Sequence, residues 1–108
     1  MKIIKSNGSE TTFSKSNIIN AISKANMRVR LEDRFTPKKI KKIAKDVEDH
    51  CKSEIRMMTS NDIQNLVEHA IMEAGKYDVA VAYITYRYQK QMDQKKNTTD
   101  EKIISLLD

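Results

Sequence analysis

The spacing of apolar positions changes several times along this chain, and each change marks an expected element. Lys2–Lys5 and Glu10–Phe13 are short β-like runs joined at Asn7-Gly8. That dipeptide is the strongest short-range hairpin signal, since a two-residue type I′ turn needs positive φ at both central positions. A two-residue loop would set Lys5 opposite Glu10 and Ile4 opposite Thr11, an opposite-charge pair across the ladder. The spacing then lengthens. Ile18, Ile22 and Ala25, with Ile19 and Ala21 beside them, predict a helix to about Met27, capped by Ser14 or Ser16. A basic connector covers 28–35, and Thr36-Pro37 starts a second helix with the stripe Ile40, Ile43, Ala44, Val47, Cys51. Glu54–Met58 is expected as a third strand added to the hairpin. Thr59 or Ser60 opens a third helix, with Asp62 near its positive end and Ile63, Leu66, Val67, Ala70, Ile71 and Ala74 on its buried face. Gly75 ends it. A fourth helix starts near Asp78, with Ala80, Tyr83, Ile84 and Arg87 along one side and Tyr86 and Lys90 on the next. The polar run 93–100 reads as a linker. Ile103, Ile104 and Leu107 then share a face too short to stand as a helix alone, which suggests a partner beyond residue 108. The fold class is α+β, without internal repeats.

Composition narrows the class. At 108 residues, 39% hydrophobic and 32% charged, the chain is expected to be one folded and very soluble domain. No apolar run approaches membrane-spanning length and the N-terminus lacks a signal-peptide pattern, so the expected location is the cytoplasm, away from membranes. The single cysteine, Cys51, allows no internal disulfide and argues against structural zinc. His50 beside it diverges by about 100° on a helix, so the pair would not converge on a metal.

Charge is uneven. Residues 1–45 carry a net +9 and residues 46–108 a net −4, so an anionic partner belongs to the first half. A solvated lysine-rich face accounts for the surplus at least as simply. Catalytic groups are not assembled: His69 stands alone on a helix, and Asp46, Glu48, Asp49 and Glu54 read as a solvated acidic patch. With no Gly-x-Ser-x-Gly and no Walker-type loop, the chain reads as a binding module rather than an enzyme, with no metal ligands assigned.

The hairpin carries the candidate chemistry. A glycine turn brings backbone N–H groups near an anion, Lys5 supplies a point charge, and the first turn of helix one offers unpaired N–H groups. Ile3, Phe13 and Ile18 form an apolar slot for a flat base. On these residues alone, a hairpin that merely closes the fold is about as good a reading.

Three motifs in order tip the balance: "IIKSNGSETTFSKSNIINAI", "TSNDIQNLVEHAIM" and "YDVAVAYITYRYQ", whose Ala-x-x-Tyr-Ile-x-Tyr-Arg run is the most distinctive. Together, over residues 1–96, they resemble the ATP-cone, a nucleotide-binding regulatory module. With the linker and the Ile-Ile-x-Leu-Leu stub, the resemblance is to the N-terminal cone of anaerobic, glycyl-radical ribonucleoside-triphosphate reductases. The transcriptional repressor that also carries a cone has a zinc ribbon ahead of it, and no cysteine precedes Cys51 here.

The resemblance implies a three-stranded sheet over a four-helix bundle in residues 1–96, with 97–108 beginning a following reductase catalytic domain. It implies ATP or dATP, accompanied by Mg, as allosteric ligand, and oligomerisation through cone contacts. Carried over by motif, Ile3 and Phe13 line the base slot, Lys5 takes phosphate, and Gly8 shapes the turn. Ser14 and Ile18 contribute from helix one, Ser60 and Gln64 from helix three, and Tyr86 and Lys90 from helix four. Two departures stand out. The family's Arg-Asp after the lysine is Ser6-Asn7 here, and a lysine common in helix one is Asn17. Each loss removes a cation, which Lys15, Lys24, Arg28 or Arg30 would have to replace. The alternatives are a degenerate cone serving only protein contacts, or a small nucleic-acid-binding domain using residues 24–45. Against the latter, the basic half lacks a helix-turn-helix glycine pattern and has only Phe13 and Phe35 for stacking.

Overall fold

A computed structural model describes the backbone of residues 1–107 and the side chains of residues 1–93. The chain opens with β1 (Lys2–Ile4) and β2 (Glu10–Thr12), an antiparallel pair. Lys2 pairs with Thr12, Ile3 with Thr11 and Ile4 with Glu10, one residue away from the expected register. The turn chemistry explains the slip. Gly8 is at φ +86° while no non-glycine residue has positive φ, so Asn7 is outside the left-handed region and a type I′ turn is excluded. The Gly8 N–H donates to the Lys5 carbonyl (2.9 Å) and the Lys5 N–H to the Ser9 carbonyl (2.8 Å), closing a three-residue loop on the left-handed glycine. The Asn7 Oδ1 accepts from the Ser9 N–H at 3.0 Å and the Ser9 hydroxyl at 2.6 Å, an Asx-type turn that anchors this geometry.

Four helices follow: α1 (Lys15–Asn26), α2 (Pro37–Ser53), α3 (Ser60–Glu73) and α4 (Tyr77–Leu107). Their starts are set by hydroxyl caps. Ser14 accepts from the Asn17 N–H, Thr36 from the Lys39 N–H ahead of which Pro37 takes the first position, and Thr59 from the Asp62 N–H. Gly75, at φ +83°, follows the last turn of α3 and lets the chain reverse into α4. Each helix packs against two neighbours, in the cyclic order α1, α2, α3, α4, so the four apolar stripes meet in one bundle core. Ile22, Val67, Ile71 and Val79 are essentially sealed from water there, and burial of each such side chain favours folding by about 1.5–3 kcal/mol. The α2 stripe is buried throughout, from Ile40 to Cys51. Burial is also the main cause that raises the pKa of the Cys51 thiol.

The basic connector is folded. Asn26, buried at the end of α1, donates to the Phe35 carbonyl (3.0 Å) and accepts from the Phe35 N–H (2.8 Å). Arg34 donates from Nε to the Val29 carbonyl at 2.7 Å, and a 3₁₀ turn spans Leu31–Asp33. Val29 and Phe35 thereby cover the core between α1 and α2.

Two further expectations change. Among the described residues the sheet has two strands: Glu54–Met58 forms none, and only an isolated parallel bridge joins Ile4 to Thr59. Ile55 is fully exposed while Met58 is buried, so this segment runs over the surface as a bend whose last residue alone reaches β1. The run 93–100, read as a linker, continues α4 without a break. It contains neither proline nor glycine, and Gln, Lys and Asp–Lys spacing there carry no strong helix-breaking term.

Candidate functional site

The site follows from how the hairpin is fastened to the bundle. The Ile4 N–H donates to the Met58 carbonyl at 3.0 Å, and the Ser60 hydroxyl donates to the Ile4 carbonyl at 3.4 Å. These bonds hold β1 against the start of α3, where a capping box ties Thr59 and Asp62 reciprocally. Arg56 reaches back to Asp62 at 2.9 Å. That charged hydrogen bond, followed by the Thr59 N–H, lowers the Asp62 pKa to about 2. The start of α3 is therefore fixed in place below the hairpin.

Of the carried-over residues, Lys5, Ser6, Asn7 and Gly8 lie exposed at the hairpin tip. Ile3 and Ile18 are buried in the core, and Phe13 packs half-buried against the same core. Ser14 is spent as the α1 cap, and Asn17 is exposed in the first turn above it. Ser60 and Gln64 are half-buried on the first turns of α3. Tyr86, half-buried on α4, has the Lys24 ammonium of α1 5.8 Å from its ring centroid, and Lys90 is exposed one turn further along. The hydrogen bonds thus join the hairpin to Ser60, and the Lys24–Tyr86 contact joins α1 to α4.

Two loop residues serve the turn itself. Beyond its own chain neighbours, open space surrounds the position a Gly8 side chain would take among the described residues, and its N–H is used inside the turn. Gly8 is required for its positive φ rather than for close approach of a ligand. Asn7 likewise spends its carbonyl oxygen on the loop. The loop N–H groups with no partner among the described residues are those of Ser6 and Asn7.

The distinctive Tyr-x-x-x-Arg spacing of α4 proves to be a tie between helices. Arg87 donates to Glu68 at 2.7 Å, to Asn65 at 2.9 Å and to Asn61, all on α3. Both members of the Arg87–Glu68 pair are largely buried, with side-chain exposures of 11% and 17%. Only the Arg87 Nε is left without a partner among the described residues. One turn earlier, Tyr83 is buried, and desolvation pushes its phenol up to about 12, so it stays protonated at neutral pH. A charged residue in an otherwise apolar stripe was the signal for this role.

Sequence reasoning also passed over a trough of about 760 Å³ between α1 and α2, walled by Lys15, Lys38, Lys39, Lys41, Lys42 and Lys45 and floored by Ile19 and Thr36. The lysines were legible as a charge surplus, but their convergence depends on how the two helices pack. A second depression, of about 430 Å³, lies beside Met1, Cys51 and Ile55. Among the described residues no three His, Cys, Asp or Glu side chains gather to hold a metal, and no helix is long and apolar enough to cross a membrane.

Residues 1–92 match the family described as ATP cone domain. The chain is also 33% identical over 97 residues to the anaerobic ribonucleoside-triphosphate reductase of Haemophilus influenzae, covering 89% of this chain and 13% of that protein.

Proposed function

This chain belongs to the ATP-cone family, and from that premise we propose that it senses ATP and dATP beneath its hairpin and regulates a ribonucleotide reductase. As a cone that corresponds to 13% of its reductase relative, it is a regulatory piece and not the catalytic part. The observation that carries the reading is the fastening of β1 to the start of α3 through Ile4, Met58 and Ser60. The reading takes Lys5, the Ser6 and Asn7 N–H groups, which have no partner among the described residues, and the apolar Ile3, Phe13 and Ile18 as facing one site at that corner of the bundle. Phosphate would be taken by Lys5 and the Ser6 and Asn7 amides, and the base by the apolar patch. Ser14, Asn17, Ser60 and Gln64 supply hydroxyls and amides around it, with Tyr86 and Lys90 closing the α4 side. Support for the polyphosphate end comes from the donor set, which is cationic and amide in character. Mg would arrive held by the phosphates and water, since its octahedral shell needs few protein ligands.

In this reading, residues 97–108 lead into the reductase catalytic domain, and ATP and dATP shift the cone between states that differ in docking or oligomerisation. A ligand shifts such an equilibrium only by its differential affinity for the two states. Calorimetric titration of the chain with each nucleotide tests it. Saturable heat is expected, with Lys5→Ala weakening the Kd by about tenfold, as the loss of one charge-assisted bond of ~1.5 kcal/mol requires. Absence of heat and of thermal stabilisation at millimolar nucleotide rules the sensor reading out.

A further inference from the structure

The lysine-walled trough between α1 and α2 is unexplained by the nucleotide site. Its cations are placed against local electrostatics. Lys15 opens α1, and Lys38 and Lys39 stand in the first turn of α2, yet neither helix has an acidic residue in its first turn. The positive end of a helix disfavours cations, and like charges three or four residues apart, as in Lys38, Lys41, Lys42 and Lys45, repel. α3 and α4 show the ordinary arrangement, with Asp62 and Asp78 in their first turns. Internal compensation is partial: Lys42 pairs with Asp46 at 3.1 Å and Lys45 with Asp49 at 3.5 Å, both solvent-exposed. Lys15, Lys38, Lys39 and Lys41 have no ion pair among the described residues, and no carboxylate lines the trough. Such a local conflict, only partly compensated from within, is what a surface kept for a partner looks like.

The floor narrows the partner's chemistry. Ile19 and the lysine stems are apolar, and only the ammonium rims are charged. Neither an arginine fork nor an aromatic ring lines the trough, so it has the groups neither for bidentate phosphate recognition nor for base stacking. We infer that the trough between α1 and α2 docks an acidic, amphipathic protein segment, whose carboxylates meet the lysine rims and whose apolar side chains lie on Ile19 and the lysine stems. This is the helix-in-groove mode of recognition with the charge on the rim, so association is fast and salt-sensitive while the apolar contact holds the complex. The inference does not depend on nucleotide binding.

The test is fluorescence anisotropy on the whole chain at low and high salt, with a labelled helical peptide carrying glutamates on one face and leucines on the other. Saturable binding is expected, lost progressively with salt and weakened about tenfold or more by Lys38→Glu/Lys41→Glu, the equivalent of ~1.4 kcal/mol. Lys15→Glu, on the opposite wall, should weaken it independently. Acidic residues early in a helix favour folding, so the melting temperature should be preserved in both variants, and nucleotide titration in Lys38→Glu/Lys41→Glu. Replacing the leucines by serine should also weaken binding. No binding, binding indifferent to either charge reversal, or equal affinity for the serine peptide would overturn the inference. So would tighter binding of a duplex DNA of matched charge, which would mark the trough as a general polyanion surface.

Discussion

At the residue scale, a few side chains decide conformations that the rest of the chain follows. Gly8 and Asn7 together choose a three-residue loop, and that choice moves every cross-strand partner of the hairpin by one position. Because side chains alternate faces along a strand, such a shift decides which residues meet the bundle. Asn26 holds the connector by satisfying both backbone groups of Phe35 from within the core. Asn26→Ala leaves a buried N–H and a buried carbonyl unpaired, at roughly 1–3 kcal/mol each. Urea unfolding should show a loss of about 2–4 kcal/mol, with local exposure of Phe35. The identity of Asn26 as a buried polar residue was not legible, since its place after Ala25 reads as an ordinary helix end and its partner is nine residues away.

At the element scale, the capping and tying of α3 governs the candidate site. Asp62 is held well below the usual carboxylate range, first by Arg56 and then by the Thr59 N–H. A carboxyl whose folded pKa is lowered stabilises the fold above its unfolded value near 3.8, and that contribution is lost as pH falls toward about 2. Wild type should therefore lose more stability between pH 4 and 2 than Asp62→Asn, measured by thermal melts across that window, while the variant is the less stable at pH 7. The Arg87 tie to α3 gives a second expectation. Arg87→Met leaves the Glu68 carboxylate largely buried without its cation, and breaking such pairs costs about 3–5 kcal/mol when fully buried, so a loss of about 2–4 kcal/mol is expected here. Glu68→Gln added to Arg87→Met should recover part of it in a double-mutant cycle.

At the scale of the whole molecule, the hairpin sits on a bundle that is complete without it, apart from Ile3 and the bonds at Ile4. A ligand beneath the hairpin would add contacts between the hairpin and the bundle. Nucleotide at a hundredfold excess over its Kd should stabilise the chain by about 2.7 kcal/mol, raising Tm by roughly 10–20 °C for a domain of this size. Differential scanning fluorimetry with ATP, dATP and GTP measures this, and Lys5→Ala should reduce the shift for the adenine nucleotides. The cone architecture in turn leaves the outer faces of α1 and α2 available, where the lysine trough lies.

The sequence by itself determined where the helices begin, the hydroxyl caps of the first three and most of their buried stripes, because a helix start depends on a hydroxyl and its next three residues, and a stripe on a fixed period. Thr36-Pro37, Thr59 and Gly75 all act where local rules put them. The cone motifs likewise stood in plain order along the chain. Only the tertiary structure decided the two-stranded sheet, the Arg87 clamp and the meeting of six lysines across two helices. Each of these depends on which distant backbone or side chain arrives opposite, and a one-dimensional pattern carries no distance between segments that become neighbours only when the core closes.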